Sequence, residues 1–513
     1  MYQALLTRRY LTSKVMPLLA SLAVVLCTAL VLITWSVMGG FLTMLIGSGR
    51  TMTGDVVVQW PTTGFAHYED FIERLKKDPM VEAAAPMIEA YGIAGMPDGR
   101  TQTVMIRGVD ARFGEVTKYR DVLWWKPINE PLPRDYTRED PRLGSPELMQ
   151  RLHAQGLSFT RTDNGVEKPA AVLGVEVSGF NRRNEAGFYT PRVRDRLLPD
   201  GGLDEVNVFL PSYGDITINV LPLDQSGGVI GTRTAKFPVA NEFQSGIYEL
   251  DNKLVLLRLD ALQEMLHMQQ AERVVDEPGT GALGQPGALG QPQGQTIIDP
   301  ARVTHVLVRG RGDMGQRGAA EPLLERVTQI YEEFADAHRG EVPSVFLISI
   351  MTWEDLNRTM IQAVEKETAL VLFLFGIMSL TAVFLVLAIF WAMVVEKTRD
   401  IGILRALGAS RSGIVWLWLR YGLAIGLVGA SLGVGLAYLV VSNINPIHEW
   451  MGRALSVQIW DPKIYYFLLI PNQVETPRAV LVLMVFVLSS MIGALIPAAR
   501  AARLDPVASL RFE

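Results

Sequence analysis

Cysteine is almost absent from this sequence: Cys27 is the only one among 513 residues, and there are six histidines. A single cysteine excludes an intramolecular disulfide framework and a cysteine-based metal site. Because Cys27 lies inside an apolar run, the polar part of the chain also has no thiol nucleophile. The net charge is −5, and the basic residues form no block suited to nucleic acid, so we exclude that class of partner.

Several motifs that carry catalysis are missing as well. The sequence has no Gly-x-x-x-x-Gly-Lys-Ser/Thr phosphate loop, so an ATPase motor of that kind would have to be another polypeptide. It also has neither a His-Glu-x-x-His zinc motif nor a Gly-x-Ser-x-Gly nucleophile elbow. We therefore predict no catalytic residue, no cofactor-binding residue and no metal ligand on this chain, and a membrane-anchored hydrolase is a weak alternative.

Long apolar runs, in contrast, are plentiful, and 49% of the residues are hydrophobic. Four runs reach the length of about 20 residues that a transmembrane helix needs; they cover residues 15–38, 369–395, 414–441 and 479–499. The first run is too long for the apolar part of a signal peptide and lacks a clean Ala-x-Ala site, so we favour an uncleaved span over a cleaved signal.

An even number of spans places both ends of the chain on one side of the membrane. Basic residues flank both ends, and Lys and Arg beside a span are retained in the cytoplasm; they are Arg8, Arg9 and Lys14 at one end and Arg500, Arg503 and Arg511 at the other. We therefore predict cytoplasmic termini and a large region on the opposite, periplasmic side between the first two spans.

The predicted organisation has nine segments. They are a cytoplasmic amino terminus 1–14, a first span 15–41, a periplasmic α+β region 42–358, a stalk and second span 359–395, a cytoplasmic elbow 396–411, a third span 412–442, a short periplasmic loop 443–477, a fourth span 478–499 and a cytoplasmic tail 500–513. The fold class is thus a membrane protein with four transmembrane helices and an inserted α+β domain.

The α+β assignment depends on helices interleaved with short apolar strands. Strand candidates are 55–59, 104–109, 171–175, 206–210, 216–221, 233–239 and 345–350, and helix candidates are 68–77, 261–268 and 322–337. The strands 216–221 and 233–239 are predicted to form a hairpin whose connection, 222–232, is an exposed arm. Thr352 and Asp355 have the spacing of a capping box, and we predict one continuous helix, a rod, from Thr352 through the second span.

Two segments are predicted to be insertions. Residues 118–165 are charged and proline-rich, which indicates a surface excursion. Residues 276–295 repeat the sequence Gly-Ala-Leu-Gly-Gln-Pro, and such a Gly/Pro/Gln tract is typical of a flexible loop because it cannot bury a core.

The elbow, residues 396–410, has the features of one short helix between two spans. Thr398 or Asp400 can cap its first amides, and Gly408 can adopt the left-handed conformation that ends a helix. An apolar stripe is predicted from Ile401, Leu404 and Leu407. An ordinary solvated loop would explain the basic residues here, but not the stripe.

Small residues recur four apart in the third span, where they permit close helix packing. The predicted packing residues are Gly422 and Gly426 on one face and Gly429 and Gly433 on another.

Several segments resemble one family. They read Glu396-Lys397, Asp400-Ile401-Gly402-Ile403-Leu404-Arg405 and Leu407-Gly408-Ala409-Ser410 at the elbow, Ile496-Pro497-Ala498-Ala499-Arg500-Ala501-Ala502 and Asp505-Pro506-Val507-Ala508-Ser509-Leu510-Arg511 near the end, and Phe243-Gln244-Ser245-Gly246-Ile247-Tyr248-Glu249-Leu250-Asp251 in the polar region. The first two sets resemble the FtsX-like/MacB-like ABC permease superfamily, and the third resembles its lipoprotein-releasing LolC/LolE branch.

The resemblance implies an inner-membrane permease dimer, made with a second copy or a paralogue, that works on a separate ATPase subunit carrying ATP and Mg. It implies ATPase coupling by Glu396, Lys397, Asp400, Ile401, Leu404, Arg405, Leu407 and Gly408, and carrier binding by an arm that includes Pro222, Gly227, Gly228 and Thr232. The implied function is lipoprotein release to a periplasmic carrier. MacB-like efflux of peptides or drugs and signalling to a periplasmic hydrolase stay open as alternatives.

Overall fold

The computed structural model describes residues 15–128, 145–183, 189–191, 193–197, 203–207, 209–223, 228–275, 295–455, 470 and 474–504. The chain divides into two compact units. The helical unit comprises residues 1–45, 359–461 and 469–513, and the α/β unit comprises residues 46–358 and 462–468.

Four helices in the described residues are long and apolar enough to cross a membrane: Pro17–Phe41, Ile361–Glu396, Arg411–Ser442 and Thr476–Ala502. This confirms the predicted number of spans. The complete helices, called the first to fourth long helices, are Val15–Gly49, Arg358–Glu396, Arg411–Ser442 and Thr476–Ala502. Many of their leucines and phenylalanines point outward, as Phe373 and Leu432 do, which suits a hydrocarbon environment.

Two shorter helices of the helical unit follow the second and third long helices. They are Thr398–Ala406 and Ile444–Leu455. The fourth long helix packs closely on the second, because a Cβ added at Gly493 would lie 2.7 Å from the carbonyl oxygen of Val383. The hydroxyls of Ser379 and Ser489 are hydrogen-bonded across the same pair of helices at 2.9 Å.

The α/β unit contains short helices around its strands. The helices are Tyr68–Lys76, Phe113–Val116, Tyr119–Val122, Pro146–Ser158, Leu210–Tyr213, Tyr248–Lys253, Leu259–Leu266, Glu321–Ala337 and Trp353–Leu356. The strands outside the main sheet are Phe65–Ala66, Thr160–Asp163, Val166–Pro169, Asn181–Arg183, Tyr189–Pro191, Val193–Leu197, Leu203–Asn207, Ala271–Val275, Gln295–Asp299 and Arg302–Val303.

The main sheet has nine strands. Their spatial order is Asp215–Val220, Arg233–Phe243, Ala171–Gly174, Leu254–Arg258, Thr101–Val109, Val81–Gly95, His305–Gly310, Val56–Gln59 and Ser349–Thr352. Two neighbouring pairs are parallel and the others antiparallel. The long strand Val81–Gly95 also pairs with Asp215–Val220, so the first six strands form a closed ring.

Both faces of the sheet bury apolar side chains. Val56 and Val58 point into one core cluster, and Val57, between them, points into another. This is the alternation that a strand imposes on successive side chains. Helices cover both faces, and the predicted α+β domain between the first and second spans is confirmed.

Several predicted elements agree with the structure. The hairpin is confirmed, since Asp215–Val220 pairs antiparallel with Arg233–Phe243. The capping box is confirmed too, because the Thr352 hydroxyl accepts the amide of Asp355 at 3.2 Å and the Asp355 carboxylate accepts the amide of Thr352 at 3.2 Å. The strand Val81–Gly95 was missed, since its alanines and Pro86 do not have the composition of a strand.

Other predictions were wrong in detail. The rod is interrupted at Asn357, whose φ of −101° and ψ of 12° leave the helical region between Trp353–Leu356 and Arg358–Glu396. The supposed surface excursion 118–165 contains a fully buried tryptophan, Trp125, packed with Met149 and Leu152. Residues 276–294, which hold the repeated tract, lie outside the described residues.

Two further strand predictions are displaced. The apolar run 206–210 contains the end of the strand Leu203–Asn207 and the first residue of the helix Leu210–Tyr213. The run 345–350 becomes a strand only at Ser349–Thr352.

Candidate functional site

The helix Thr398–Ala406, here called the elbow helix, begins directly after the second long helix. Its N-cap residue is Lys397, whose ammonium group lies 3.0 Å from the Asp400 carboxylate. The Thr398 hydroxyl donates backwards to the carbonyl oxygens of Val394 and Val395, at 3.1 Å and 2.8 Å. The N-cap position is thus occupied by Lys397 and not by Thr398 or Asp400, and the side chain of Lys397 makes no capping hydrogen bond.

The elbow helix ends where the sequence predicted. Gly408 has a φ of +95°, the left-handed region that favours glycine. The amide of Gly408 donates to the carbonyl of Arg405 at 3.1 Å, and that of Ala409 donates to the carbonyl of Leu404 at 3.0 Å. These two bonds make a Schellman motif, which satisfies carbonyls that a helix end would otherwise leave open.

The inner face of the elbow helix packs on its own unit. Ile401 is 4% exposed and belongs to a buried cluster with Met393 and Trp418. Leu404 is half-buried beside it, and both line a cleft of about 50 Å³ that also touches Tyr421. Two members of the predicted stripe thus hold the elbow helix against the long helices, so the stripe as a whole is not a free surface.

The outer face of the elbow helix carries a different apolar pair. Ile403 is 44% exposed and Leu407 is 81% exposed. Residues four apart lie on the same face of a helix, so this pair forms one patch. Leu407 was predicted and Ile403 was missed, although its spacing from Leu407 is a signal that the sequence contains.

Arg405 connects the elbow helix to the end of the fourth long helix. One of its guanidinium nitrogens, Nη1, donates to the carbonyl oxygens of Ala502 at 2.5 Å and Leu504 at 3.3 Å. The last carbonyls of a helix have no partner within the helix and carry partial negative charge, so a cation is favourable there. Arg405 therefore fixes the position of the elbow helix, a role that the sequence did not indicate.

The first pair of predicted packing glycines lies against the fourth long helix. A Cβ added at Gly422 would lie 2.8 Å from the Ala494 Cβ, and one at Gly426 would lie 2.9 Å from the Ser490 Cβ. The hydroxyl of Ser490 donates to the carbonyl of Gly422 at 2.8 Å. Backbones come this close only where a side chain is missing.

The second pair lies against the first long helix instead. A Cβ at Gly429 would lie 2.8 Å from the Val24 Cβ, and one at Gly433 would lie 2.7 Å from the Thr28 Cβ. The third long helix therefore packs closely on two sides. Gly422 and Gly426 contact the fourth long helix, and Gly429 and Gly433 contact the first.

The arm lies in the α/β unit. Beyond the paired strands, Leu223 and Val229 form a β-bridge, and the amide of Ile230 donates to the carbonyl of Pro222 at 3.0 Å. Pro222 is buried, whereas Gly228 and Thr232 are exposed, and Gly227 lies outside the described residues. The exposed apolar side chains of the arm, which the prediction did not name, are Val229 and Ile230.

Two buried carboxyls lie beside the segment that resembles the lipoprotein-releasing branch. Burial raises the pKa of Glu242 to about 7, although it accepts hydrogen bonds from the indole of Trp125 at 2.7 Å and the amide of Asn181 at 2.8 Å. Burial also raises the pKa of Asp251 to about 7, while this carboxyl accepts the backbone amide and the hydroxyl of Ser245 at 2.6 Å and 2.7 Å. Asp251 thus holds the turn at Ser245, whereas Glu242 connects Trp125 to Asn181.

Comparison with known proteins finds a family match in the helical unit. Residues 372–506 match the family described as FtsX-like permease C-terminal. The lipoprotein-releasing system transmembrane protein LolC of Neisseria meningitidis serogroup B is 24% identical over 295 residues, which are 58% of this chain and 59% of that protein. LolC of Haemophilus influenzae is 28% identical over 174 residues, 34% of this chain and 41% of that protein.

A second group of relatives matches a smaller share of the chain. The macrolide export ATP-binding/permease protein MacB 2 of Aeromonas hydrophila is 32% identical over 162 residues, 30% of this chain and 22% of that protein. The solved periplasmic region of MacB from Actinobacillus actinomycetemcomitans covers 61% of this chain and 94% of that chain, with 9% identity and a TM-score of 0.25, too low to support an argument about the fold.

The chain spans 59% of the length of the Neisseria LolC and 40% of a LolC of Xylella fastidiosa. Four apolar helices together with LolC and MacB relatives indicate an inner-membrane protein with a periplasmic domain.

Proposed function

We propose, from the match of residues 372–506 to the family described as FtsX-like permease C-terminal, that the chain is the permease subunit of an ABC transporter that releases lipoproteins from the inner membrane. The cargo passes to a soluble periplasmic carrier, and ATP is hydrolysed on a separate subunit. The observation that carries the proposal is the similarity to the Neisseria LolC over 295 residues, which extends well beyond the domain at 372–506.

The proposed orientation places the elbow helix in the cytoplasm. Arg399, within the elbow helix, and Arg411, at the start of the third long helix, are both exposed, and basic residues beside a span are retained on the cytoplasmic side. The ends of the chain then lie on the same side, and the α/β unit lies in the periplasm.

The proposed coupling surface consists of Ile403 and Leu407, with the charged residues Glu396, Lys397 and Asp400 at the start of the elbow helix. The apolar pair is exposed and therefore available to an ATPase subunit. Ile401, Leu404 and Arg405 support that surface from behind. A displacement of the elbow helix would be transmitted to the end of the fourth long helix, because Arg405 donates a hydrogen bond to the carbonyl oxygen of Ala502 there.

The proposed carrier-binding surface is the tip of the arm. Gly228, Val229 and Ile230 are exposed there, and the two apolar side chains offer a small edge that side chains of a partner can contact. A second permease chain, identical or paralogous, completes the transporter in this proposal.

The energetics explain why such a system needs a motor and an apolar receiver. Each methylene of a lipid anchor gains about 0.8 kcal/mol in the bilayer, so extracting two or three acyl chains costs on the order of tens of kcal/mol. Hydrolysis of ATP by the partner supplies that work, and a carrier held at the arm keeps the released chains out of water.

Site-specific photocrosslinking in membranes tests the proposal. Probes at the partly exposed Met38 of the first long helix and at Gly228 of the arm should give adducts with a lipoprotein and with a soluble carrier, respectively. Matched probes at Leu18, near the other end of the same helix, and at the exposed Val166 of the α/β unit should give neither adduct. Adducts of the first pair with a small-molecule substrate or an efflux adaptor alone would refute lipoprotein release.

Efflux of periplasmic peptides or drugs is the second candidate, and one observation favours it. The MacB 2 protein of Aeromonas hydrophila has the higher identity, 32%, although over only 30% of this chain. Co-purification of the chain with an outer-membrane channel, and of no lipoprotein, would support efflux.

A further inference from the structure

We propose that the α/β unit binds a divalent transition-metal ion, preferably Zn²⁺, through His67, His338 and Glu341. One potential ligand atom of each residue lies within 4.8 Å of those of the other two. The proposal is independent of the transported cargo and rests on these three side chains alone.

The ligand chemistry of the cluster suits zinc. Zinc sites combine imidazole nitrogens with carboxylate oxygens, and three protein ligands leave a fourth position for water. Mg²⁺ and Ca²⁺ prefer a shell of oxygens, which two imidazoles do not provide. The types of ligand in the cluster therefore favour Zn²⁺ over Mg²⁺ and Ca²⁺.

The three side chains are already together without an ion. The Nε2 atom of His67 lies 2.5 Å from a carboxylate oxygen of Glu341, and the rings of His67 and His338 stack with centroids 4.3 Å apart. The fold therefore already places all three side chains within reach of one ion.

The positions of the ligands are set by two helices that pack together. His67 immediately precedes the helix Tyr68–Lys76, and His338 immediately follows the helix Glu321–Ala337. The rings of Phe71 and Phe334, one from each helix, are fully buried with centroids 5.2 Å apart. A buried contact between the helices thus holds the two imidazoles in register.

The backbone conformation before the first helix and after the second orients the ligand side chains toward the cluster. His67 has a φ of +57°, a conformation unusual for a residue with a side chain. After His338 the chain turns back, with the Glu341 amide donating to the His338 carbonyl at 3.1 Å and Gly340 at a φ of +87°. This turn brings the Glu341 carboxylate onto His67.

A second carboxylate supports one of the imidazoles. Asp70 lies 3.1 Å from Nε2 of His338 and is itself paired with Arg74 at 2.9 Å. Metal-binding histidines commonly donate their second ring nitrogen to such a carboxylate, which fixes the tautomer and orients the ring. Asp70 therefore leaves Nδ1 of His338 as the nitrogen available for a metal.

Ions have access to this cluster from solvent. The side chains of His67, His338 and Glu341 are 27%, 23% and 63% exposed. A bound ion would connect His67, before one helix, to Glu341, in the turn after another, across 274 residues of sequence, and it would stabilise the folded unit by mass action.

The test uses the full-length chain in detergent, purified with an affinity tag that contains no histidine and stripped of metal with a chelator. Titration with Zn²⁺ should give one tightly bound ion per chain and a higher thermal midpoint, and excess Mg²⁺ should not compete. His338→Gln and Glu341→Gln should each weaken the binding of Zn²⁺ at least tenfold and remove most of the thermal shift.

Two further variants make the result decisive. His67→Asn removes an imidazole but keeps a residue type that tolerates positive φ, so a loss of binding cannot be ascribed to the backbone. His153→Asn, at a half-buried histidine elsewhere in the same unit, should bind Zn²⁺ like the wild type. Binding that is unaffected in the cluster variants, or absent from the wild type, would overturn the proposal.

Discussion

Substitutions on the two faces of the elbow helix should separate docking of the proposed ATPase subunit from stability of the helical unit. Leu407→Ala removes an 81% exposed side chain, and such surface changes usually alter the free energy of unfolding by less than about 0.5 kcal/mol. Ile401→Ala removes a 4% exposed side chain and should cost about 2–5 kcal/mol, because it leaves a cavity.

The effect of Leu407→Ala on docking follows from its exposure. Complete burial of a leucine side chain contributes about 1.5–3 kcal/mol, and a substitution to alanine that keeps the Cβ forfeits about 1–2 kcal/mol of it at an interface. Since 1.4 kcal/mol is a factor of ten, the affinity of the permease for its ATPase should fall about 5- to 30-fold. Ile403→Ala should have a smaller effect, since Ile403 is 44% exposed.

The assay is binding of purified ATPase to the permease in nanodiscs, with thermal unfolding of each variant measured in parallel. Leu347→Ala, at an exposed leucine of the α/β unit, serves as the matched control and should bind normally. If Leu407→Ala and Ile403→Ala both bind the ATPase with wild-type affinity, the outer face of the elbow helix is not the coupling surface and the reasoning fails.

Three more predictions concern packing, the elbow contact and pH. Gly433→Ala should lower the thermal midpoint, because its Cβ would lie 2.7 Å from the Thr28 Cβ and overpacking costs about 1–3 kcal/mol; Gly435→Ala, which would meet no described atom within 4 Å, should not. Arg405→Ala should reduce lipoprotein release while ATPase binding persists, since it removes charge-assisted hydrogen bonds worth about 1.5–3 kcal/mol that hold the elbow helix to the fourth long helix. Glu242→Gln should flatten the pH dependence of the free energy of unfolding. The pKa of Glu242 is raised from 4.5 to about 7 in the folded state, which therefore binds the proton more tightly than the unfolded state does. The stabilising contribution of this carboxyl is complete below pH 4.5 and is lost as the pH rises through 7. Chemical denaturation at pH 5 and pH 8 measures that difference, on the order of 3 kcal/mol at most.

Each of these predictions can fail separately. Equal thermal midpoints for the two glycine variants would contradict the proposed contact between the first and third long helices. Normal release by Arg405→Ala would show that the contact is dispensable. For the pH effect the comparison is between wild type and variant, because His305, whose pKa burial lowers to about 4, contributes a slope of the opposite sign in both proteins.

The sequence by itself determined the features that depend on local pattern. A long apolar run has only one stable form in a bilayer, a helix with its backbone bonds satisfied internally, and so the four spans were predictable. The arm hairpin follows from the alternation in its two strands, and the turn at Gly408 follows from the one residue type that accepts a positive φ freely.

Tertiary structure alone decided which face of each element is buried. Ile401, Leu404 and Leu407 share a helical period, but packing against Trp418 buries the first and leaves the last exposed. Trp125 lies in a charged, proline-rich segment and is nevertheless fully buried, because the fold brings Met149 and Leu152 to it. Periodicity shows that residues share a face, but it does not specify what that face contacts.

Contacts between distant parts of the chain were also beyond the sequence. Arg405 donates to the carbonyl oxygen of Ala502, 97 residues away, and His67 contacts Glu341, 274 residues away. No spacing of motifs in the sequence predicts either contact. The physical reason is that such contacts depend on how helices pack, which is a property of the assembled core and not of any local segment.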